Sequence, residues 1–554
     1  MALVDGGCLA INALKREGVR HVFALAGGHV EPYFQGCLDE GMRLIDTRHE
    51  AATVHLAEGW ARATGQLGVA IITAGPGVTN SLTGLANAFW SASPVLVMGG
   101  RSSLADFDLG ALQEMVPSPV VPFTKWHRTG YDVKRVPEYL SMAVRHALSG
   151  RPGPVYLEFP QDVLKGMADP EEVVFPTGYR TTARPAGEPA AIQRAVDLLV
   201  KAERPLVIAG SGIFWSQAGT ELQELIETVR IPLFLMTKGR GCVPDDHPLC
   251  FGPTRIGTRD ADVVLLVGTR LDYNLAYGRP PLFSPTARWI QVDIHAEEIG
   301  RNRPIEVGIV GDAKMVLAQM VEAALPSCRG RRDSPWVEAC RHYLVGRREA
   351  IRGELTSDAV PIHSARLCQE VANFLDRDAT VVVDGADIGD WAATVLRCYH
   401  PGHWLDVQPN GCLGSGISFA MAAQLAWPQS QVVVIHGDGS FGLNAMEFDT
   451  AVRHHIPFVS VIGNDGAWGQ VKNLQLEKGP DRVIGTELGF TRYDLVVEAL
   501  GGHGEYVEKP EDIRPALERA FASGKPACVN VRVDPEAASA RRTKGRTATP
   551  KGKG

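Results

Sequence analysis

Two short stretches, Gly437-Asp438-Gly439-Ser440 and Asn464-Asp465-Gly466, have residue types and a spacing that suit phosphate and metal chemistry. The first closes an apolar run, QVVVIH, and precedes residues that read as a helix, so backbone N–H groups and a helix N-terminus would face a phosphate there. Gly437-x-Gly439-x-x-Gly442 also fits a dinucleotide fingerprint, and taken alone it fits a plain strand-to-helix turn. Asp438 argues against the dinucleotide, because a carboxylate inside the turn repels a pyrophosphate unless a divalent cation lies between them. Asn464, at the end of the next apolar run, supplies a second oxygen donor. Two ligands from adjacent strand ends, a backbone carbonyl, phosphate oxygens and water would complete the octahedron that magnesium requires.

GDGS followed by Asn-Asp-Gly resembles the signature of thiamine-diphosphate enzymes. By that resemblance Asp438 and Asn464 are side-chain ligands of Mg2+, the Gly466 carbonyl is a third, and the turn Gly437, Gly439 and Ser440 holds the diphosphate. A second, distant stretch agrees. LIDTRHEAATVHLAEG (44–59) resembles the family's Arg-His-Glu-x-x-Ala segment, which makes Glu50 the acid that hydrogen-bonds the cofactor's pyrimidine and drives its tautomerisation. On residue type alone, Glu50 is equally an acid favoured by a helix N-terminus. Thr73, Pro76 and Asn80, in TAGPGVTN, resemble the loop lining the pyrimidine pocket. Gly411-Cys412-Leu413-Gly414 aligns with the family's Gly-x-Met-Gly, where the Gly411 carbonyl accepts from the cofactor amine and Leu413 wedges it into its bent form. The same stretch also reads as a small-residue helix packing closely on a sheet.

The middle of the chain is similar to oxalyl-CoA decarboxylases and 2-hydroxyacyl-CoA lyases, in RPLVIAGSGI, VVLLVGTRLDYN and WIQVDIHAEEIG. That resemblance implies an adenine-nucleotide site, ADP or the nucleotide part of coenzyme A, at Arg151, Arg270, Asp293, Ile294 and Asp312; as residues, each also reads as an ordinary surface ion-pair or loop position. Arg541 and Arg542, in a basic tail, would close over CoA phosphates. Where oxalyl-CoA decarboxylases carry Tyr-Glu, this chain has Leu109-Gly110-Ala111-Leu112, which suits an aliphatic acyl group and leaves a second carboxylate unpartnered. The expected activity is therefore 2-hydroxyacyl-CoA cleavage to formyl-CoA and an aldehyde or ketone, a carbon–carbon lyase. Ala111-Leu112-Gln113-Glu114 with Thr124-Lys125 also resembles acetolactate synthases, which condense 2-oxo acids and usually bind a flavin that no feature here demands. Oxalyl-CoA decarboxylation is the third alternative. His29 and Gln113 are candidates to handle the substrate hydroxyl proton, with Glu487 near the substrate channel.

Residues so far apart need a scaffold that brings strand ends together. Apolar runs alternate with amphipathic stretches along the chain, the pattern of α/β domains with parallel sheets. The expected strands are 21–25, 68–74, 94–100 and 154–160, then 205–210, 263–269 and 288–294, then 379–385, 431–439, 457–465 and 527–533. They predict three doubly wound parallel-sheet domains: pyrimidine-binding (1–166), middle (192–335) and diphosphate-binding (336–535). A linker (167–191) follows the first, and a basic C-terminal tail (536–554) acts as a lid. Because Glu50 and Asp438 fall on different domains, the family resemblance places them on different subunits, so a homo-oligomer is expected: a dimer at least, a tetramer plausible. A chain of 554 residues exceeds one core. Its net charge of −7 gives no reason to expect nucleic acid, and no apolar run is long enough to span a membrane. Ten cysteines without CxxC pairing, and no targeting address at either end, suggest a cytoplasmic protein with reduced thiols.

Overall fold

The computed structural model describes residues 3–115, 119–252 and 257–537. Three parallel sheets dominate it, each flanked by helices, so the α/β architecture with three sheets is as expected. The first runs Arg43–Asp46, His21–Ala24, Gly68–Ile72, Val95–Arg101, Val155–Pro160, Trp126–Thr129. The second runs Leu233–Leu235, Pro205–Ala209, Val263–Val267, Arg288–Asp293, Val307–Val310. The third runs Trp404–Asp406, Thr380–Asp384, Val432–Gly437, Val459–Asn464, Ala527–Arg532, His503–Val507.

The sequence singled out the inner strands, and the structure adds the two outermost strands of every sheet. The cause is burial. Gly68–Ile72 and Val459–Asn464 are buried at every position, so they read as unbroken apolar runs. Edge strands such as Arg43–Asp46 and His503–Val507 are only partly buried and carry polar residues that hide them. Met167–Ala168, at the head of the expected linker, pairs antiparallel with Val4–Asp5. The expected strand 154–160 runs directly into the short helix Gln161–Lys165.

The chain packs as two compact units. One comprises the residues up to Thr182 with Val407–Pro428 and Asn444–Pro457; the other holds Ala183–Asp406, Gln429–Leu443 and the chain from Phe458 on. Part of the third stretch thus packs with the first sheet. What achieves this is the helix Glu50–Thr64 lying against the helix Gly416–Ala426. A Cβ on Gly59 would lie 2.9 Å from Ala422 Cβ and 3.0 Å from Phe419 Cα, so only glycine permits this approach. The helix Glu50–Thr64 is buried on nearly all sides, including His55, Glu58 and Arg62. Its charges are matched inside the unit. Asn87 donates to Glu58 at 2.7 Å, Arg62 lies 3.5 Å from Glu58 and donates to the Gln408 carbonyl at 3.0 Å, and its guanidinium sits 4.9 Å from the Phe419 ring. Burial of an ion pair costs several kcal/mol of desolvation per ion, so these partners are needed to keep the helix inside. Among the described residues, no helix is long and apolar enough to cross a membrane.

Candidate active site

In an open parallel sheet, ligands bind beyond the carboxyl ends of the strands where the winding reverses. In the first sheet that point lies between His21–Ala24 and Gly68–Ile72, and the segments leaving those strands carry His29 and Thr73. In the third it lies between Thr380–Asp384 and Val432–Gly437, followed by Gly385 and Asp438. The two groups of candidate residues therefore occupy the switch points of two sheets.

In the first unit, Glu50 is the first residue of its helix, capped by His49, whose Nδ1 accepts from the Ala51 N–H at 3.1 Å. It is both the helix-terminal acid and a buried carboxylate, with 6% of its surface exposed. Asn80, one turn into the helix Pro76–Trp90, donates to Glu50 Oε2 at 3.0 Å. Pro76 opens that helix, where its missing N–H costs nothing. Gly75 holds φ at +56°, and a Cβ there would press on Gln113 at 2.7 Å. A Cβ on Gly77 would lie 2.9 Å from Thr73 Cγ2 and 3.7 Å from Glu50 Oε1, so Glu50 and Thr73 flank the same glycine. Thr73 Oγ1 is 3.4 Å from His29 Nδ1 and 3.5 Å from Gln113 Oε1. Burial lowers the His29 pKa, against the opposing pull of hydrogen bonds the ring donates to the Leu112 carbonyl and to Gln113, so the imidazole is neutral near pH 7. Gln113 itself sits at φ +61°, a strained setting for a non-glycine residue and one that clusters at functional sites. The structure thus brings Glu50, Asn80, Thr73, Pro76, His29 and Gln113 to one end of one sheet.

Gly411 and Gly414, at φ +70° and +88°, bracket Cys412 and Leu413 in a loop whose Gly414 carbonyl accepts from Asn444 at 2.8 Å. Cys412 Sγ contacts His55 Nε2 at 3.7 Å. The sequence did not signal that pairing, since the two lie far apart in the chain.

In the second unit, Asp438 opens the short helix after Val432–Gly437 and is 1% exposed. Neither of its oxygens accepts a hydrogen bond of normal geometry. Burial first, and the adjoining Asp465 carboxylate second, hold its pKa well above the carboxylate range. Asp465 is likewise raised by burial. Asp465 Oδ1 accepts from the Ala467 N–H at 3.1 Å, while both Asp438 oxygens are left for another partner. Two adjoining carboxyl groups with oxygens to spare are what a divalent cation would neutralise, so the residues fit magnesium. Asn464 is held in place by donating to the Thr491 carbonyl (3.0 Å) and to Asn530 Oδ1 (3.1 Å), while its own Oδ1 accepts from the Gly466 N–H at 3.1 Å. The Gly466 carbonyl, expected as the third ligand, already accepts from the N–H groups of Leu488 (2.7 Å) and Gly489 (3.0 Å). This geometry offers Asp465, which sequence reasoning did not assign, as the extra oxygen beside Asp438. Among the described residues, no three His, Cys, Asp or Glu side chains converge as a metal cluster. Gly437 has open space where a Cβ would stand, and one on Gly439 would strike Trp468 at 2.6 Å; Ser440 is buried beside them. Glu487 is 71% exposed and pairs with Lys472 at 3.0 Å.

The residues assigned to a nucleotide have local partners. Arg270 pairs with Glu298 at 3.2 Å, and Asp293, pushed up to about 6 by burial, accepts from the His295 N–H. Ile294, partly buried, follows Asp293 at the end of Arg288–Asp293. Asp312 caps the helix Ala313–Cys328 and accepts from Arg184 and Ser216, both at 3.0 Å. Arg151 lies in the other unit and donates to the Phe89 carbonyl at 3.4 Å. Nothing in these contacts calls for ADP. Lys125 donates to the carbonyls of His146, Ser149 and Arg151 at 2.6–2.9 Å and serves as a structural cation. Arg541 and Arg542 fall outside the described residues.

Three family profiles match the chain in order: "Thiamine pyrophosphate enzyme, N-terminal TPP binding domain" over 4–120, the "central domain" over 192–320, and the "C-terminal TPP binding domain" over 384–531. The chain belongs to the thiamine-diphosphate-dependent enzymes. Among its relatives, a protein of Mycobacterium bovis named "Probable acetolactate synthase" is 40% identical, covering 98% of both chains. A "2-hydroxyacyl-CoA lyase" of Arabidopsis thaliana is 32% identical, covering 96% of each. A "Probable acetolactate synthase large subunit" of Methanocaldococcus jannaschii is also 32% identical, covering 96% of this chain and 92% of its own.

Proposed function

We propose that this thiamine-diphosphate enzyme condenses 2-oxo acids in the manner of an acetolactate synthase. The observation that carries the proposal is the 40% identity, over 98% of both chains, to the M. bovis protein of that name. It reverses the order suggested by the middle-domain motifs, which put the lyase first. The bound thiazolium supplies a carbon nucleophile and an electron sink.

The chain's own residues do the rest. Asp438 and Asn464, with Asp465 adjoining, would hold the Mg2+ that neutralises the diphosphate, and the N–H groups of 437–440 would donate to its phosphate. Glu50, kept in place by Asn80, takes and returns a proton at the pyrimidine nitrogen. Leu413 supports the cofactor's bent form. His29, neutral through burial, and Gln113 would offer N–H donors to the carbonyl oxygen that takes up a proton on condensation, with Lys165 near enough to lower the His29 pKa further. Because Glu50 and Asp438 lie in different units, the working assembly in this reading is a dimer at least.

A second reading, cleavage of an aliphatic 2-hydroxyacyl-CoA to formyl-CoA, has its own support. Leu109 and Leu112, flanking Gly110-Ala111 beside Gln113, expose 78% and 77% of their surface, an apolar face suited to an acyl chain. The 32% identity to the Arabidopsis lyase points the same way. Purified protein with thiamine diphosphate and Mg2+ should be given pyruvate, a short 2-hydroxyacyl-CoA and oxalyl-CoA separately. Acetolactate from pyruvate, with the CoA esters untouched, is the expected result. Formyl-CoA from the hydroxyacyl ester alone would give the lyase reading the place.

A further inference from the structure

One cleft of the second unit takes no part in the site above. Its floor is Arg240, 2% exposed, whose guanidinium stacks 3.5 Å from the Trp404 ring centroid. Arg240 donates to Asp245 Oδ2 at 2.7 Å and to the Leu396 carbonyl at 2.9 Å, while its Nε and Nη1 find no acceptor. Asp245, the one carboxylate among the described residues of the cleft, is engaged by Arg240 and by the Cys398 N–H at 2.9 Å. Three more arginines, Arg347, Arg348 and Arg397, line the same cleft. Of the acids near them, Glu349 pairs with Arg352 at 2.7 Å, and Asp246 pairs with Arg377 at 2.5 Å while its charge also reaches Arg397. Burial and the charge of Arg397 both lower the Arg348 pKa, the mark of two guanidinium groups crowding each other.

Arg348 and Arg397, close enough to repel one another, gain most from a doubly charged anion, whose oxygens their forked donors match. A single carboxylate would neutralise too little of this charge. The other wall is aliphatic, formed by Leu344, Ile351 and Leu355. The cleft has a volume of about 80 Å³ and opens to solvent. One water needs roughly 10–15 Å³ on that scale, so a phosphate group and a short apolar body fit in it. We propose that this cleft binds a small phosphate monoester with a short aliphatic or ring body, its phosphate on Arg348 and Arg397 and its body against the aliphatic wall.

The test uses holoenzyme saturated with thiamine diphosphate and Mg2+, so that added phosphate cannot report on the cofactor site. Monobutyl phosphate, inorganic phosphate and butyrate are titrated by calorimetry at low ionic strength. Monobutyl phosphate should bind one site per chain, more tightly than inorganic phosphate, and butyrate should give no measurable heat. The Arg348→Ala/Arg397→Ala variant should bind monobutyl phosphate about tenfold more weakly or worse, since removing one charge-assisted hydrogen bond weakens binding by a factor of that order. Both substitutions are at exposed positions outside the active site, so ligand-free activity and the thermal midpoint should match the unmodified enzyme. Arg397→Ala alone serves if the double variant unfolds early. Absence of monobutyl phosphate binding, or unchanged binding by the variant, overturns the proposal. Equal affinity for inorganic and monobutyl phosphate overturns the apolar half of it.

Discussion

Replacing Asp438 with asparagine should change stability and cofactor binding in opposite directions. Without cofactor, the Asp438 carboxyl is 1% exposed, accepts no hydrogen bond of normal geometry and is driven to take up a proton by burial and by the Asp465 carboxylate beside it. A buried polar group left unsatisfied costs roughly 1–3 kcal/mol, and a charged one more. The amide introduced by Asp438→Asn would keep the shape, need no proton taken up to sit beside the Asp465 charge, and present an NH2 that Asp465 can accept from. The cofactor-free variant should thus be more stable by about 1–3 kcal/mol, a rise of roughly 2–4 °C in thermal midpoint per kcal/mol for compact units of this size. With thiamine diphosphate and Mg2+ the order reverses. The unmodified protein gains about 4.1 kcal/mol when ligand stands at a thousand times its Kd, more than the roughly 1–3 kcal/mol head start of the variant, which is short of a ligand to the metal and forgoes that gain. Thermal unfolding of both proteins, with and without cofactor and metal, gives four midpoints. The variant should melt above the unmodified protein without cofactor and below it with cofactor. A variant that melts lower without cofactor, or that keeps the cofactor-induced shift, would refute the metal assignment.

Glu50→Gln keeps the hydrogen bond from Asn80 but cannot exchange the proton, so turnover should fall about 10²–10⁴-fold while calorimetric binding of thiamine diphosphate stays within a few-fold. Turnover close to that of the unmodified enzyme would remove Glu50 from the chemistry. Glu447, buried where it accepts from the Arg48 N–H and from Thr450, has its pKa pushed up to about 7 by that burial. An acid raised in this way contributes stability below its ordinary pKa and loses it as pH climbs to the raised value. Urea midpoints of the unmodified protein should fall between pH 5 and pH 7 by the equivalent of roughly 3 kcal/mol at most, and Glu447→Gln should flatten the profile; parallel profiles would count against it. Gly59→Leu drives a side chain into Phe419 and Ala422 and should cost about 1–3 kcal/mol or more in denaturant midpoints, whereas Gly59→Ala should cost less.

The legible part of this fold was its interior. Each inner strand has both faces covered, so VVVIHG and VSVIGN must be apolar throughout, and a run of that kind is visible without any partner. The outer strands are defined by what they pair with: Trp126–Thr129 is a strand because Val155–Pro160 lies beside it, and WHRT alone says nothing of the sort. The site divides in the same way. Asp438, Asn464 and Glu50 stand in short motifs whose chemistry is local, and each emerges at a strand or helix end. The His55–Cys412 contact and the facing of Asp438 by Asp465 arise between residues brought together by folding, and no local pattern announces them. Asp312 does carry a usable local signal. An aspartate directly before a helical stretch is first a helix cap, and it caps Ala313–Cys328.

Substrate choice was the hardest property to read because the matched relatives include both an acetolactate synthase and a 2-hydroxyacyl-CoA lyase, and the sequence reading of substrate rested on segment 104–115. There Asp108, Gly110 and Gln113 all take positive φ, at +68°, +79° and +61°, and Leu109 and Leu112 are turned outward. The shape of that segment is set by its backbone and by the Gln113–Thr73 contact, with little buried packing to dictate side-chain type. The same Ala111-Leu112-Gln113-Glu114 can therefore present either an apolar face to an acyl chain or the Gln113 amide to a 2-oxo acid. Whole-chain identity weighs more than that segment's composition for this reason. Around it the backbone is fixed more firmly: Gly75 against Gln113 and Gly100 against His29 are close approaches that only glycine allows.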